Sequence, residues 1–412
     1  MPRSSSLRCG QTMISVDQAL DIIHRKVTAL PGESVPLERA QSRVLAEKVV
    51  ADIDLPPFDR ARMDGYAVRS PDVSTAPVAL HLIGEIPAGA TFHGALGPGQ
   101  AVKIFTGAPM PAGADAVQKI EVTEASSETV TIRESVVRGQ FVTPRASEVA
   151  AGQIIAEPGR EIGAPEMAVL ASFGYSNIKV GQRPRVAVLS TGSELVPVSQ
   201  RPEGAEIRNS NSYTIGAYAR RDGAEADVRG IVKDTPEATH EALVAAARHH
   251  HIVITTGGVS MGDYDLVKAA LSGMGAEVFF DKVSIRPGKP TVFARLGETY
   301  FFGLPGNPVS TSVTYNVFVR TAIRKMLGDS GPYPSIVRAF TSHSIKDASS
   351  RRSFLPARFY VDAGRAMVEP LKWGGSSDLV AFMGANALII VPEATHAVGE
   401  GEMVDAMFLT QL

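Results

Sequence analysis

A glycine-rich turn flanked by hydroxyls and carboxylates is the part of the sequence best suited to chemistry. The run at 252–254 is short and β-branched, which is typical of a strand buried on both faces of a parallel sheet. It leads into Thr255-Thr-Gly257-Gly258-Val-Ser260-Met-Gly-Asp-Tyr-Asp265. Glycines let the backbone turn sharply and leave its N–H groups open to an anion just before a helix. Phosphate is therefore the first ligand to consider at Gly257 and Gly258.

Two further strand ends carry similar residues. Ser190-Thr191-Gly192-Ser-Glu194 follows a predicted strand, and Lys233-Asp234 follows the next one. In open parallel sheets, ligands bind outside the carboxyl ends of the strands. Carboxylates gathered beside anion-binding loops would repel one another unless a hard cation such as Mg²⁺ lay between them and a phosphate. The three strand ends thus predict a Mg²⁺ site, and the alternative is that their acids only cap helices.

Three cations surround the following Pro-Gly turn, in the run Lys282-Val-Ser-Ile-Arg286-Pro-Gly-Lys289-Pro. Solvated surface charges are the simpler interpretation, but two prolines and a glycine fix the backbone in a way that solvated charges do not need. A tetrahedral oxyanion is the predicted guest. Pro305-Gly-Asn-Pro308-Val-Ser310 then repeats the arrangement of strand, glycine turn and helix, with Ser310 near a helix start.

Hydrophobic periodicity predicts the elements that must hold these residues. Strands at 186–189, 227–232 and 252–254 alternate with helices at 211–221, at 235–249 and after 263, the βαβαβ pattern of an open parallel α/β sheet. Earlier in the chain we expect helices at 15–27, 37–49 and 164–173, and a small β-rich region that begins at Asp52. Short strands after Gly331-Pro332 predict a C-terminal β-barrel or sandwich.

Composition limits the classes of function. The 412 residues are 44% hydrophobic and 20% charged with a net charge of −2, so there is no basic stripe for nucleic acid. No apolar run approaches the ~18 residues of a membrane span. The single cysteine, Cys9, excludes internal disulfides and cysteine-built metal sites, and the first dozen residues lack the apolar segment of a secretory signal. We therefore expect a cytoplasmic protein.

Seven short motifs occur in a fixed order along the chain. They are Met63-Asp-Gly-Tyr-Ala-Val, Phe105-Thr-Gly-Ala-Pro-Met-Pro, Ser190-Thr-Gly-Ser-Glu-Leu, Asn209-Ser-Asn211, Thr256-Gly-Gly-Val-Ser, Ile285-Arg-Pro-Gly-Lys-Pro and Gly303-Leu-Pro-Gly-Asn-Pro-Val-Ser. From Met13 onward the chain resembles the molybdopterin molybdenumtransferases, which are the bacterial MoeA-type proteins and the E domain of gephyrin. Seven motifs in sequence are far more specific than any one of them.

The resemblance implies a multidomain fold in an elongated homodimer with shared sites. Its expected parts are an α/β molybdopterin-binding domain at 13–31 and 181–330, a discontinuous linking domain at 32–51 and 150–180, a β-rich domain at 52–149 and a C-terminal β-barrel at 331–412. The implied reaction inserts molybdate into adenylylated molybdopterin, with Mg²⁺-dependent release of AMP, to give molybdenum cofactor. Implied partners are a molybdopterin adenylyltransferase and recipient molybdoenzymes.

The resemblance also assigns roles to residues. The implied catalytic residues are Asp64, Thr106, Asp234 and Asp265, and the implied metal ligands are Glu194, Asp234 and Asp265. Arg286 stands where lysine is common in the family, which keeps the charge but changes its geometry. The implied substrate-binding residues are Ser190, Thr191, Gly192, Gly257, Gly258, Ser260, Lys282, Arg286, Lys289, Pro305, Pro308, Ser310 and Arg351.

Two stretches depart from the family pattern. In residues 139–148, Arg145 is the only arginine where the family usually has an arginine-rich stretch, and Val380-Ala381 replaces the family's serine pair. These departures leave open a non-catalytic or altered pterin-binding paralogue, or a scaffold. Trp373, the only tryptophan, is interpreted as a core or turn residue rather than a ligand platform.

A serine hydrolase is a further alternative. Gly258-Val-Ser260-Met-Gly262 matches the G-x-S-x-G nucleophile elbow, with Asp281 and either His343 or His396 to complete the triad. Such five-residue patterns arise often in α/β sheets, so the sequence favours the transferase.

Overall fold

The computed structural model describes residues 13–258, 266–346 and 349–409, and two predicted site residues, Ser260 and Asp265, lie outside these ranges. The chain divides into two compact units. The first comprises Met1–Glu47, Pro158–Gly163 and Asn177–Leu412, and the second comprises Lys48–Glu157 and Ala164–Ser176. The predicted four-domain boundaries remain a prediction.

The first unit is built on a six-stranded sheet. Its strands lie side by side in the order Glu225–Val232, Arg185–Thr191, Ile252–Thr256, Thr299–Leu304, Val292–Leu296 and Glu277–Phe280. The first four are parallel, as expected for an α/β domain, and the last two add an antiparallel edge that makes the sheet mixed.

Both faces of this sheet are covered, which explains why its central strands are continuously apolar. Alternate residues enter two separate cores, with Val186, Val188, Ile252 and Ile254 in one and Ala187, Leu189 and Val253 in the other. The helices that supply the covering residues are Val16–Lys26, Asn211–Arg221, Pro236–Ala247, Leu266–Gly273, Pro308–Thr314 and Arg320–Met326, the last two joined by a π-helical segment, Tyr315–Val319.

Capping residues set the helix starts that the sequence predicts. Ser15 and Gln18 exchange backbone and side-chain hydrogen bonds of 2.9 and 3.1 Å in a capping box. Thr235 accepts a bond from the Ala238 N–H, and Pro236 takes the first helical position.

Five C-terminal strands close into a barrel, which decides between the predicted barrel and sandwich. Around the barrel they are Arg352–Asp362, Arg365–Pro370, Ile336–Thr341, Met403–Phe408 and Ala387–Val391, which pairs back to the first. A short strand from the α/β part, Ile285–Arg286, pairs with Arg352 and Ser353 and extends the same sheet. A short helix, Leu379–Phe382, precedes the last two barrel strands along the chain.

A buried ionic network joins the barrel to the α/β part. Asp222 is 3% exposed and accepts two 2.8 Å hydrogen bonds from Arg221 and one of 3.0 Å from Tyr315. Arg221 also donates to the carbonyl oxygen of Leu409, and Arg320 donates to that of Phe408 at 3.3 Å. The network therefore holds the end of the last barrel strand against two helices.

The second unit contains the predicted β-rich region. Its sheet has the order Ala116–Lys119, Gly65–Val68, Gln100–Ile104, Val78–Ile86, Thr129–Ile132 and Thr123–Ala125. Two short pairings, Val49–Val50 with Ile154–Ala156 and Arg60–Ala61 with Val142–Thr143, accompany it. The predicted third helix is Ala164–Ser172, and Gly174 follows it at φ +73°.

The helix predicted at 37–49 is wrong. The structure has a 3₁₀ turn at Leu37–Arg39, after which Ser42 takes a positive φ and Val44 and Leu45 bridge to Glu161 and Val180. Backbone groups that a helix would pair locally are paired instead with distant segments, and local periodicity carries no signal for such pairing. The neighbouring strands Gly32–Pro36 and Asn177–Gly181 are likewise an antiparallel pair formed by segments that are distant along the chain.

Every helix within the described ranges is too short or too polar to cross a lipid bilayer.

Candidate functional site

Turns that follow neighbouring parallel strands meet at the carboxyl edge of the mixed sheet. Ser190 lies opposite Thr256 in the strand register. Gly257, at φ +91°, approaches so closely that a Cβ there would lie 2.2 Å from the Thr191 carbonyl oxygen. A Cβ at Gly306 would lie 3.6 Å from the Gly257 Cα. The structure thus brings together the glycine turns that the sequence predicts.

Hydrogen bonds of the Ser190 side chain hold these turns in place. Its fully buried hydroxyl lies 3.1 Å from Asn209 Oδ1, 2.7 Å from Ser212 Oγ and 3.0 Å from Thr256 Oγ1. These contacts fix two strand ends against the start of the helix Asn211–Arg221. The Ser190 side chain therefore positions the turn through protein contacts.

Three polar atoms at the same edge lack partners among the described residues. Thr191 Oγ1 and Asp234 Oδ1 are buried without a hydrogen bond in the described part of the chain, and the third atom is Thr255 Oγ1 in the strand Ile252–Thr256. Buried polar atoms are nearly always satisfied, so unpaired ones beside the glycine turns are candidates for ligand contact. The Glu194 carboxylate lies beside the turn, because a Cβ at Gly192 would be 2.6 Å from its Oε2.

The predicted three-carboxylate metal site stays a prediction. Among residues 13–258, 266–346 and 349–409, no group of three or more His, Cys, Asp or Glu side chains is arranged to hold a metal ion. Asp265, the third predicted ligand, lies outside these ranges.

A cleft of about 530 Å³ opens between the loop that follows Ile285 and a loop that leads out of the barrel. We call it the cationic cleft because Arg286, Lys289 and Arg351 line it. The remaining lining residues are Pro287, Gly288, Pro290, Ser310, Trp373, Gly374, Gly375 and Ser376. The structure therefore brings together four of the predicted substrate-binding residues: Arg286, Lys289, Ser310 and Arg351.

Backbone contacts hold the walls of the cationic cleft. Gly288 takes φ +117°, and a Cβ there would lie 2.3 Å from Thr314 Cγ2, so this wall lies directly on a helix. On the other wall, Ser376 accepts hydrogen bonds from Asn307 Nδ2 at 2.8 Å and from the Val309 N–H at 3.0 Å. Arg351 donates to the Ile285 carbonyl oxygen at 3.1 Å.

The cleft keeps positive charge available for an anion. Neither Lys289 nor Arg351 forms an ion pair with an acidic side chain of the described residues. Hydrogen bonds from such cations to oxyanions are among the stronger ones in proteins.

Three other predicted substrate-binding residues do not line this cleft. The Lys282 backbone carbonyl accepts a bond from Ile14, which ties its segment to the N-terminal part of the chain. Pro305 accepts a bond from Thr311 Oγ1 at 2.5 Å, and Pro308 starts a helix. The two prolines therefore shape the turn beside the cleft.

The second unit brings the predicted pair Asp64 and Thr106 together. Asp64 Oδ1 accepts bonds of 2.7 Å from both the backbone N–H and the hydroxyl of Thr106. These bonds, the backbone one first, lower the pKa of the exposed Asp64 carboxyl below its ordinary value. Gly65 is required next to it, because a Cβ there would lie 2.0 Å from the Gln118 carbonyl oxygen.

The two departures from the family pattern have different surroundings. Arg145 pairs with Asp54, and its backbone N–H donates to Asp59 at 2.7 Å, so this arginine is engaged within its own unit. Val380 is 80% exposed at the helix Leu379–Phe382.

Two of the residues proposed for a serine hydrolase have other partners. Asp281 pairs with Lys268, and His343 Nδ1 lies 2.9 Å from Ser342 Oγ. Ser260 falls outside the described residues.

Sequence reasoning missed Ser376 and Trp373 as cleft residues. The only local signal was the Gly374-Gly375 pair, which precedes a serine as in the turns at the sheet edge. Barrel closure, which brings this loop to Arg286, could not be inferred from spacing.

The fold and these sites define a multidomain protein that has glycine turns at the edge of an α/β sheet and a cationic cleft completed by a barrel. Family models match three consecutive parts of the sequence: the MoeA N-terminal region (domains I and II) at residues 14–174, a probable molybdopterin-binding domain at 187–325, and the MoeA C-terminal region (domain IV) at 338–409.

Named relatives cover almost the whole chain. A molybdopterin molybdenumtransferase of Staphylococcus epidermidis is 34% identical over 401 residues, 96% of each chain. One from Staphylococcus aureus is 35% identical over 396 residues, covering 95% of this chain and 94% of the relative. The crystal structure of a molybdopterin biosynthesis MoeA protein from Pyrococcus horikoshii matches with a TM-score of 0.83 and 30% identity, covering 97% of this chain and 100% of that one.

The chain belongs to the MoeA family of molybdopterin molybdenumtransferases. The predicted family, and with it the assignment to an enzyme of molybdenum cofactor biosynthesis, is confirmed.

Proposed function

We propose that the protein inserts molybdate into adenylylated molybdopterin and releases AMP and molybdenum cofactor in a Mg²⁺-dependent reaction. The observation that supports this most is the cationic cleft, where Arg286, Lys289 and Arg351 converge from an α/β loop and the barrel. Molybdate is a tetrahedral dianion, and arginine offers it paired N–H donors while lysine offers a compact charge. The hydroxyls of Ser310 and Ser376 add donors to the same cleft.

The turns at the sheet edge suit the adenylate phosphate. The unpaired Thr191 hydroxyl can donate to a phosphate oxygen, and the glycine turn at Gly257 and Gly258 leaves room for one. Attack on the phosphoanhydride builds negative charge on its oxygens, so donors placed there favour the reaction.

The buried, unpaired Asp234 oxygen fits a divalent cation, because carboxylates are the ligands that Mg²⁺ prefers. We propose that Asp234, Glu194 and Asp265 hold Mg²⁺, which when bound would neutralise charge on the phosphate oxygens. The catalytic roles of Asp64 and Thr106, the homodimer with shared sites, the cytoplasmic location, the adenylyltransferase and the recipient molybdoenzymes also belong to this proposal.

The test is AMP release from adenylylated molybdopterin by the purified protein with Mg²⁺, with and without molybdate. We expect wild type to release AMP in a molybdate-dependent manner and Asp64→Ala to lose this release. Glu128→Ala, which removes an exposed carboxylate of the same unit, is the matched control and should behave as wild type. Pterin binding without AMP release would favour the non-catalytic paralogue or scaffold, and no binding at all would refute the proposal.

A further inference from the structure

We propose that Trp373 is a substrate-binding residue whose indole packs against the pterin ring while the cationic cleft holds the molybdate that reacts with it. This inference rests on the proposed function. In molybdopterin, the two sulfur atoms that take up the metal are attached to the ring fused to the pterin. If molybdate occupies the cationic cleft, the pterin must therefore lie nearby, with its planar pyrimidine ring on the side away from the two sulfur atoms.

Among the described residues that line the cleft, Trp373 is the only aromatic one. It is half-buried and packs against both the α/β core and the barrel core. An indole wedged between two cores keeps a fixed orientation, so little side-chain freedom is lost when a ligand covers it. Gly374 and Gly375 follow directly and add no side chain that would fill the space next to the ring.

The loop that carries Trp373 is held at several points. Asp378 accepts a hydrogen bond from the Gly374 N–H at 2.8 Å and another from the Ala381 N–H at 3.1 Å. Ser376 Oγ accepts a hydrogen bond of 2.8 Å from Asn307 Nδ2, which immediately precedes the helix that starts at Pro308. Trp373 thus stands at a fixed place relative to the helix that starts at Pro308.

The ring faces and the N–H of the Trp373 indole are available to a ligand. Within the described part of the chain, no aromatic ring stacks on Trp373, no lysine or arginine lies over it, and its N–H forms no hydrogen bond. Partly buried tryptophans usually give their N–H a partner, and aromatic faces attract planar rings. The cleft thus offers three cations to the anionic part of a ligand and one indole to its ring. An anionic pterin has both of these parts.

The chain contains one tryptophan, so a label at that residue type reports this position alone. Protein labelled with 5-fluorotryptophan gives a single ¹⁹F resonance per chain environment. Pterin-6-carboxylate, a planar pterin with an anionic group, is the probe. We expect saturating probe to shift this resonance by more than its linewidth, because a ring in contact changes the local magnetic field. A resonance that stays in place while calorimetry shows saturation would overturn the inference.

Calorimetry on two variants measures the contribution of the ring. Trp373→Leu should weaken binding of pterin-6-carboxylate by about tenfold or more, the range found for loss of an aromatic stacking partner. Trp373→Phe, which keeps an aromatic face, should stay within about threefold of wild type. Both should bind molybdate within about twofold of wild type. Unchanged pterin affinity in Trp373→Leu, or an equal loss of molybdate affinity, would assign Trp373 to packing only.

The AMP-release assay separates this inference from the proposed function. In Trp373→Leu we expect a raised KM for adenylylated molybdopterin with kcat largely retained. Absence of release by wild type would refute the proposed function, and the calorimetric result on the pterin probe does not depend on it. Normal release by wild type together with an unchanged KM in Trp373→Leu would refute the Trp373 inference alone.

Discussion

At the scale of single residues, position relative to the cationic cleft should decide which lysine matters for molybdate. Lys289 lines the cleft, whereas Lys282, seven residues earlier, does not. Lys289→Ala removes a charged donor, and such hydrogen bonds contribute about 1.5–3 kcal/mol. We therefore expect isothermal calorimetry to show molybdate affinity reduced by about tenfold to a hundredfold. Lys282→Ala should change it by less than about threefold, and equal losses in both variants would contradict the assignment.

The hydrogen bonds from Thr106 to Asp64 lead to a prediction about the pKa of the Asp64 carboxyl. Because the folded pKa of Asp64 is lowered, its carboxylate stabilises the folded state above the unfolded pKa of about 3.9 and loses this contribution as the pH falls through the folded value. Thr106→Ala removes the hydroxyl donor but keeps the backbone donor, which is the larger cause. Carboxyl ¹³C NMR titration should show the Asp64 pKa rising part of the way toward its ordinary value. Thr106→Ser should leave it low, and no rise in Thr106→Ala would show that the hydroxyl contributes nothing.

At the scale of elements, the glycine turn after the strand Ile252–Thr256 tolerates no side chain. Gly257→Ala combines a positive φ with a Cβ 2.2 Å from a backbone oxygen that cannot move aside. We expect thermal unfolding to show a loss of about 1–3 kcal/mol, because backbone strain of this kind has that cost. Gly331→Ala, where nothing lies within 4 Å of the new Cβ, is the control and should unfold as wild type. Equal stability of the two variants would mean that the turn can relax.

Helices and strands whose residues carry a local hydrophobic pattern could be predicted from the sequence. Contacts between segments that are distant along the chain could not. The strand at Ile252 is visible in sequence because a buried strand is continuously apolar, and the helix Asn211–Arg221 is visible because its pattern stops at Gly223, which takes φ +98°. The segment after Leu37 has helical periodicity, yet its backbone pairs with residues more than a hundred positions away. The same limit hid Trp373, whose place beside Arg286 depends on how the barrel closes.

At the scale of the whole molecule, the network around Asp222 makes the barrel and the α/β part depend on each other. Asp222→Ala leaves Arg221 and Arg320 without their buried counter-charge, and breaking such a pair costs about 3–5 kcal/mol. Burial and the nearby Asp222 carboxylate raise the pKa of Tyr315 well above its usual value, so its hydroxyl stays a donor. Tyr315→Phe should therefore cost only about 1 kcal/mol. Urea unfolding measures both, and similar values would show that the charges are not the main contribution.

The sheet that runs from the barrel into the strand Ile285–Arg286 also bears on how such a protein can evolve. The strand Ile285–Arg286 pairs with the barrel strand Arg352–Asp362. Arg351, Trp373 and Ser376 line the same cleft as Arg286 and belong to the C-terminal part of the chain. A recombination event at Gly331 would separate the two walls of the cationic cleft. We therefore expect the α/β domain and the barrel to be exchanged only together, because a gene that acquired a foreign barrel would keep one wall of the cleft and lose the other.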